Sequence, residues 1–176
     1  RRDCPSSVRH AKARRASDEE VSGFASSFIN TRLAVGDIVE LRAPGGSFVM
    51  PTRTARPLVL VAGGIGMTPF INLLESLVGR QEPPTILLLY ANQNGSMHAF
   101  RHRIRELEAL TPTLKVVNFY DAPVDSDVPG KDFQVHGRVS ADAVPDSLLA
   151  LRPLIYMCGP PAMMTAFAEG MTARGI

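Results

Sequence analysis

Cysteine is scarce in this chain of 176 residues, which carries only Cys4 and Cys158. Two cysteines are too few for a disulfide framework or a metal cluster, so we predict no metal site. No apolar run approaches the ~20 residues that a membrane span needs, and nothing resembles a signal peptide. We therefore expect a soluble, cytoplasmic protein without a membrane span.

An excess of one charge is also missing, because 19 Lys and Arg residues against 17 Asp and Glu residues leave a formal net charge of +2. Several of the basic residues lie in the first 15 positions, but no aromatic residue is interleaved with them. That composition argues against a nucleic-acid partner. A hydrophobic fraction of 45% with 20% charged residues is typical of a globular protein, and the length suits one domain or one and a half.

Four short apolar runs predict buried strands at 57–62, 85–90, 114–120 and 153–157. They lack clean alternation, as expected for strands of a parallel sheet that is covered on both faces. Apolar residues at helical spacing follow three of these runs, within 67–78, 100–107 and 163–171. Strands and helices in this order predict a Rossmann-like α/β domain, a doubly wound parallel sheet with right-handed crossovers.

The first 50 residues lack this succession of apolar runs and helical patterns. We predict that they form part of an antiparallel β unit. "DIVELR" at 37–42 is expected to be a strand, and "APGGSF" a loop. We place the domain boundary at residue 52, giving a partial β-barrel over 1–52 and the α/β domain over 53–176. The chain starts without Met and stops soon after a helical pattern, so we expect a fragment that lacks its last strand. "DAPVDSDVPGKD" at 121–132 is predicted to be an acidic surface loop.

The stretch "LVLVAGGIGMTP" at 58–69 places three glycines directly behind a predicted strand. Gly63, Gly64 and Gly66 permit a positive φ and a close backbone approach, and a helix beginning near Thr68 would aim free N–H groups at the loop. The loop is therefore either a tight strand–helix turn or a pyrophosphate site, and its spacing differs from the common G-x-G-x-x-G fingerprint.

A second turn, "YMCGPPAMM", follows the last predicted strand, where Cys158 is followed by Gly159 and Pro160. Proline at a helix start is favourable for structural reasons alone. A small thiol at the end of a strand is more often inert packing than a nucleophile. Taken alone, this turn says little about function.

Together the two turns resemble the NAD(P)H-binding domain of the ferredoxin–NADP reductase superfamily. "SGFASSFINTRLAVGDIVELRAPGGSF" is similar to the end of that superfamily's FAD-binding barrel. "NGSMHAFRHRIREL" and "DFQVHGRV" resemble the reductase half of flavohaemoglobins. The resemblance covers nearly the whole chain.

The resemblance implies a role for each matching residue. The pyrophosphate and ribose of NAD(P)H would lie against Gly63, Gly64, Gly66 and Thr68. The nicotinamide pocket would be lined by Cys158, Gly159 and Pro160, with Cys158 beside the carbon that gives up hydride. The FAD phosphates would be bound by Arg2 (or Arg1), Gly23 and Ser26. The family's tyrosine beside the flavin has no counterpart, because Asp3 or Cys4 stands in its place.

The implied function is an FAD-dependent oxidoreductase module that transfers hydride from NAD(P)H to FAD. Electrons then pass to a haem, iron–sulfur or other acceptor outside this chain. The alternative is a nucleotide-binding module without turnover, since the flavin part departs from the pattern. A dehydrogenase acting directly on a small molecule lacks an obvious acid–base pair. Residues 91–94 are Ala, Asn, Gln and Asn, which favours NADH, although Arg101 and Arg103 would make NADPH the alternative.

Overall fold

A computed structural model describes residues 12–14, 20–22, 24–40, 43 and 45–176. The chain divides into two compact units, Arg1–Val49 and Met50–Ile176. In the first, strand β1 (Lys12–Arg14) pairs antiparallel with β2 (Glu20–Ser22), and helix α1 (Phe24–Thr31) follows. The assignment of this unit to an FAD-binding barrel, and the boundary at residue 52, stay predictions.

The strand expected at 37–42 is wrong for the part of it that the structure describes. Residues 37–40 belong to no strand, and residues 41 and 42 lie outside the described range. Asp37 instead closes a turn, since its carboxylate accepts the Ala34 N–H at 2.8 Å. Ile38 is 99% exposed. This segment therefore has no partner strand among the described residues to fix it in a sheet.

The second unit is a parallel α/β sheet, as the sequence predicts. The five strands are β3 (Leu58–Gly63), β4 (Ile86–Asn92), β5 (Leu114–Tyr120), β6 (Val135–His136) and β7 (Leu154–Cys158). They are all parallel, in the order β6-β5-β4-β3-β7. The helices are α2 (Thr68–Leu77), α3 (Arg101–Leu110), α4 (Asp146–Leu149) and α5 (Pro161–Ala173).

Both faces of this sheet are covered, which explains why its strands read as continuous apolar runs. Leu58, Leu60 and Ala62 of β3 pack with α2 and α3 on one face. Val59 and Val61 point to the other face, where they pack with residues of α4 and α5. Among the described residues, no helix is both long enough and apolar enough to cross a bilayer.

Strand order reverses beside β3. From β3 the chain moves to β4 and then β5 in one direction, whereas β7 lies on the opposite side of β3. Ala62 and Cys158 are register partners, so β3 and β7 end at nearly the same level. In open α/β sheets, ligands bind in the crevice at the carboxyl ends of the strands at such a reversal. The fold therefore brings both glycine turns to the expected ligand-binding edge.

Candidate functional site

The first glycine turn is a continuous strand–helix junction. β3 ends at Gly63, a 3-10 turn covers Gly64–Met67, and α2 starts at Thr68. Helical backbone thus begins four residues earlier than expected. Since the first N–H groups of a helical segment lack intrahelical acceptors, those of the 3-10 turn are the ones available to an anion.

Positive φ is needed at only one of the three glycines. Gly64 has φ +51°, whereas Gly63 is extended with φ −119° and Gly66 does not have a positive φ. The positive φ that glycine permits at all three positions is therefore adopted only at Gly64. A Cβ built on Gly64 would have no atom within 4 Å. Gly64 accordingly presents open space, which leaves room for a ligand to approach its backbone.

The other glycines serve a close contact between the two turns. A Cβ on Gly66 would overlap the carbonyl oxygen of Cys158, and a Cβ on Gly159 would lie 2.9 Å from the Gly63 nitrogen. A Cβ on Gly63 would lie 2.6 Å from Cδ of Pro160. These glycines allow the backbones of the two turns to pack closely against each other. At Gly63, Gly66 and Gly159 the absence of a side chain therefore serves the contact between the turns. The two turns are thus in direct contact.

Cys158 lies at the end of β7 with its side chain half-buried against the core. Its thiol is free, and burial raises its pKa. The thiol therefore remains protonated at neutral pH, which disfavours a role as a nucleophilic thiolate. Pro160 precedes α5 with φ −57°, and Pro161 is the first residue of that helix, where proline is well tolerated.

Tyr90 forms a hydrogen bond with the backbone of the first turn, a role that the sequence analysis did not predict. Its side chain is fully buried near the end of β4, and its hydroxyl lies 3.0 Å from the Gly64 oxygen and 3.2 Å from the Ala99 oxygen. Burial raises the pKa of Tyr90, so the hydroxyl stays protonated, and its single proton is shared between these two carbonyl oxygens. The available signal was a phenol at the end of an apolar strand, because a buried tyrosine hydroxyl usually has a partner.

Two polar residues beside Tyr90 complete this edge of the sheet. The His98 ring meets Tyr90 edge-on at 4.9 Å between centroids, and its Nδ1 lies 2.7 Å from the Tyr120 hydroxyl. Burial lowers the pKa of His98 to about 4, so the ring is neutral at pH 7. Asn92 lies beside Tyr90, yet both polar atoms of its buried amide make no hydrogen bond of normal geometry among the described residues. The side-chain amide of Asn92, at the end of β4, therefore carries hydrogen-bonding groups that the described residues do not satisfy.

The structure gathers seven of the ten predicted site residues at the carboxyl ends of β3 and β7. They are Gly63, Gly64, Gly66, Thr68, Cys158, Gly159 and Pro160. Ser26 belongs to the first turn of α1 in the other unit, where its carbonyl accepts the Asn30 amide at 2.8 Å. Arg2 and Gly23 lie outside the described residues.

We expect Tyr90→Phe to weaken nucleotide binding through the glycine turn rather than through contact with the ligand. Loss of the hydroxyl removes the donor to the Gly64 carbonyl, which should cost about 1–2 kcal/mol of unfolding free energy. A loosened turn should raise the NADH dissociation constant about five- to tenfold. Denaturant unfolding and NADH titration measure the two effects.

Tyr120→Phe is the matched control, because it removes a buried hydroxyl that contacts His98 instead of the glycine turn. It should cost comparable stability and leave NADH affinity unchanged. Equal losses of affinity in the two variants would show that the Tyr90 hydroxyl has no specific role.

Comparison with known proteins places this site within one family model. The model of the oxidoreductase NAD-binding domain matches residues 60–169, a range that contains both glycine turns. The flavohemoprotein of Rhizobium meliloti (strain 1021) is 33% identical over 155 residues, covering 88% of this chain and 38% of that protein. The flavohemoprotein of Deinococcus radiodurans is 36% identical over 143 residues, covering 80% of this chain and 35% of the relative. The chain thus spans less than two fifths of the length of these relatives.

Solved structures share the fold. The Flavohem-like-FAD/NAD binding domain of nitric oxide dioxygenase from Vibrio cholerae O1 biovar El Tor has a TM-score of 0.72 at 25% identity. The match covers 88% of this chain and 61% of that one. The cytochrome b5 reductase domain of Ulva prolifera nitrate reductase has a TM-score of 0.67 at 24% identity, covering 88% and 63% of the two chains. At that lower identity the likeness concerns the fold alone.

Proposed function

Because the chain belongs to the oxidoreductase NAD-binding domain family, within the ferredoxin–NADP reductase superfamily, we propose that it binds NAD(P)H at the two joined turns and directs hydride to FAD. The observation that carries this proposal is the backbone contact between the turns after β3 and β7, at the reversal of strand order. A dinucleotide laid across that crevice would reach both turns at once.

Each turn would receive a different part of the nucleotide. The pyrophosphate would accept hydrogen bonds from N–H groups of the 3-10 turn beginning at Gly64, with Thr68 adding a hydroxyl. Open space above Gly64 supports this placement. The nicotinamide would lie on the β7 side, beside Cys158, Gly159 and Pro160. A protonated, half-buried thiol there would pack against the ring and help to orient it, since hydride transfer depends on close alignment.

We assign the FAD phosphates to Arg2, Gly23 and Ser26 of the first unit on the family resemblance. When bound, FAD supplies the exchange of a hydride for single electrons, which no side chain of this chain provides. The relatives named flavohemoproteins favour a haem as the electron acceptor, located outside this chain; an iron–sulfur centre is the other candidate. We propose NADH as the preferred donor and the cytoplasm as the location.

A flavin assay separates an active reductase from a nucleotide-binding module without turnover. We expect the 176-residue chain to bind NADH but to hold FAD poorly, and a version extended upstream to hold FAD and show the flavin absorbance bands. Anaerobic addition of NADH to that flavin-loaded protein should bleach those bands. NADH binding without bleaching would favour the binding module, and absence of NADH binding would contradict the proposal itself.

A further inference from the structure

The outer edge of β5 is covered only in part by another strand. On its inner side, β4 pairs with all of Leu114–Tyr120, whereas on its outer side β6 pairs only with Phe119 and Tyr120. Among the described residues, no further strand joins β5 along 114–118. The edge of a strand presents N–H and C=O groups to which another extended chain can pair.

The segment that carries this edge has the composition of a strand that associates readily. Residues 114–120 are "LKVVNFY", with two adjacent valines, two aromatic residues, a single charge and neither glycine nor proline. β-Branched and aromatic residues favour extended backbone, and short segments of this composition pair with copies of themselves when they are exposed. The backbone of β5 would therefore accept another strand unless other groups occupied its outer edge.

Glu108 of α3 occupies one backbone donor of this edge. Its Oε1 accepts the N–H of Val116 at 2.8 Å, so this N–H points away from β4. Val116 is only 8% exposed, and a buried amide without an acceptor is costly. Glu108 thus satisfies the Val116 amide and lies where a carbonyl oxygen of an added strand would bind.

Gln134 occupies the next backbone groups along the edge. Its Oε1 accepts the N–H of Asn118 at 2.9 Å, and its own backbone N–H donates to the Asn118 oxygen at 2.9 Å. Val116 and Asn118 are two positions apart, which is the spacing at which the N–H groups of a strand point to the same side. Glu108 and Gln134 therefore cover successive outward donors, up to the residues that β6 pairs with.

We propose that the outer edge of β5 is a strand-docking surface that Glu108 and Gln134 hold closed. Its occupant, once the edge is open, is the same edge of a second copy of this chain. Two identical strands related by a two-fold axis pair antiparallel, so each β5 supplies the donors and acceptors that the other lacks. Because β4 separates this edge from β3, association here does not depend on the proposed nucleotide site.

Analytical ultracentrifugation over a series of protein concentrations tests this role. The variant that combines Glu108→Ala with Gln134→Ala should self-associate at concentrations about tenfold or more below those required by the wild type. Glu108→Gln keeps an acceptor for the Val116 N–H and should behave like the wild type. Glu106→Ala makes the same charge change two positions away in α3, where the carboxylate bonds to Arg103 instead of the backbone. It should also behave like the wild type.

Hydrogen exchange identifies the surface through which the double variant associates. In dilute solution the amides of Val116 and Asn118 should exchange about tenfold or more faster in the double variant than in the wild type. Exchange within 114–118 should slow again at concentrations at which the variant associates. Circular dichroism in dilute solution shows whether the double variant is folded. If it is not, Gln134→Ala, which changes only an exposed side chain, replaces it in both measurements.

Three results would overturn the assignment of this edge. The first is a folded variant that associates no more readily than the wild type. The second is equal association of Glu106→Ala, which would attribute the effect to lost charge. The third is association without slower exchange within 114–118, which would place the interface elsewhere on the molecule.

Discussion

Replacing Gly64 by Val should lower NADH affinity about 30-fold or more, a change of about 2 kcal/mol in binding free energy. Gly64 is the one glycine of its turn with a positive φ, and the space beside its backbone is empty. A branched side chain would fill the space in which the pyrophosphate is proposed to lie. The substitution will also destabilise the fold, because φ +51° costs a β-branched residue roughly 1–3 kcal/mol.

Gly79→Val provides the control for that backbone strain. Gly79 has φ +73° and a Cβ position that is equally empty, but it lies between α2 and β4 at the opposite edge of the sheet. We expect both variants to lose similar unfolding free energy and only Gly64→Val to lose NADH affinity. Calorimetric titration of the folded variants measures this difference. Equal NADH affinities would contradict the phosphate assignment.

Replacing Cys158 by Ala should slow the reduction of bound FAD by about one to two orders of magnitude, with much less change in NADH affinity. The thiol ends β7 at the turn that we assign to the nicotinamide, so its loss should affect alignment in the transition state more than binding. The side chain is small and only half-buried, so the cavity should cost about 1 kcal/mol or less of stability.

Stopped-flow measurement of flavin absorbance in flavin-loaded protein tests this expectation. Cys158→Ser, which keeps a small side chain with a hydrogen-bond donor, should recover part of the rate. Since burial raises the pKa of Cys158, we expect no step in the rate from thiolate formation near neutral pH. A wild-type reduction rate in Cys158→Ala would leave this residue with a packing role only.

Four of the five strands of the sheet were predictable because local composition fixes them, whereas the two-residue β6 was not predicted. Residues 114–120 form β5 as predicted, and the other three predicted strands are shifted by only one or two residues. A strand covered on both faces needs a continuous apolar run, which a single sequence displays directly. The strand expected at 37–42 is wrong over residues 37–40, because a short apolar segment does not by itself provide a partner strand to pair with.

The details of the site were less predictable because they depend on contacts between distant residues. Three glycines in one turn look equivalent in sequence, but Gly64 needs its backbone angle whereas Gly66 makes room for Cys158. Likewise, the sequence predicts Asp132 in a surface loop, whereas the fold buries its carboxylate against Arg101, 31 positions away in sequence. The spacing of residues in the sequence does not reveal contacts between residues that only the fold brings together.

Hydrogen exchange with and without NADH tests the central claim, a nucleotide site formed by the two joined turns, most directly. We predict that saturating NADH slows amide exchange within 63–68 and 158–162 and leaves 79–85, at the other edge of the sheet, unchanged. Unchanged exchange in both turns while NADH is bound, or slowing confined to 79–85, would contradict the account.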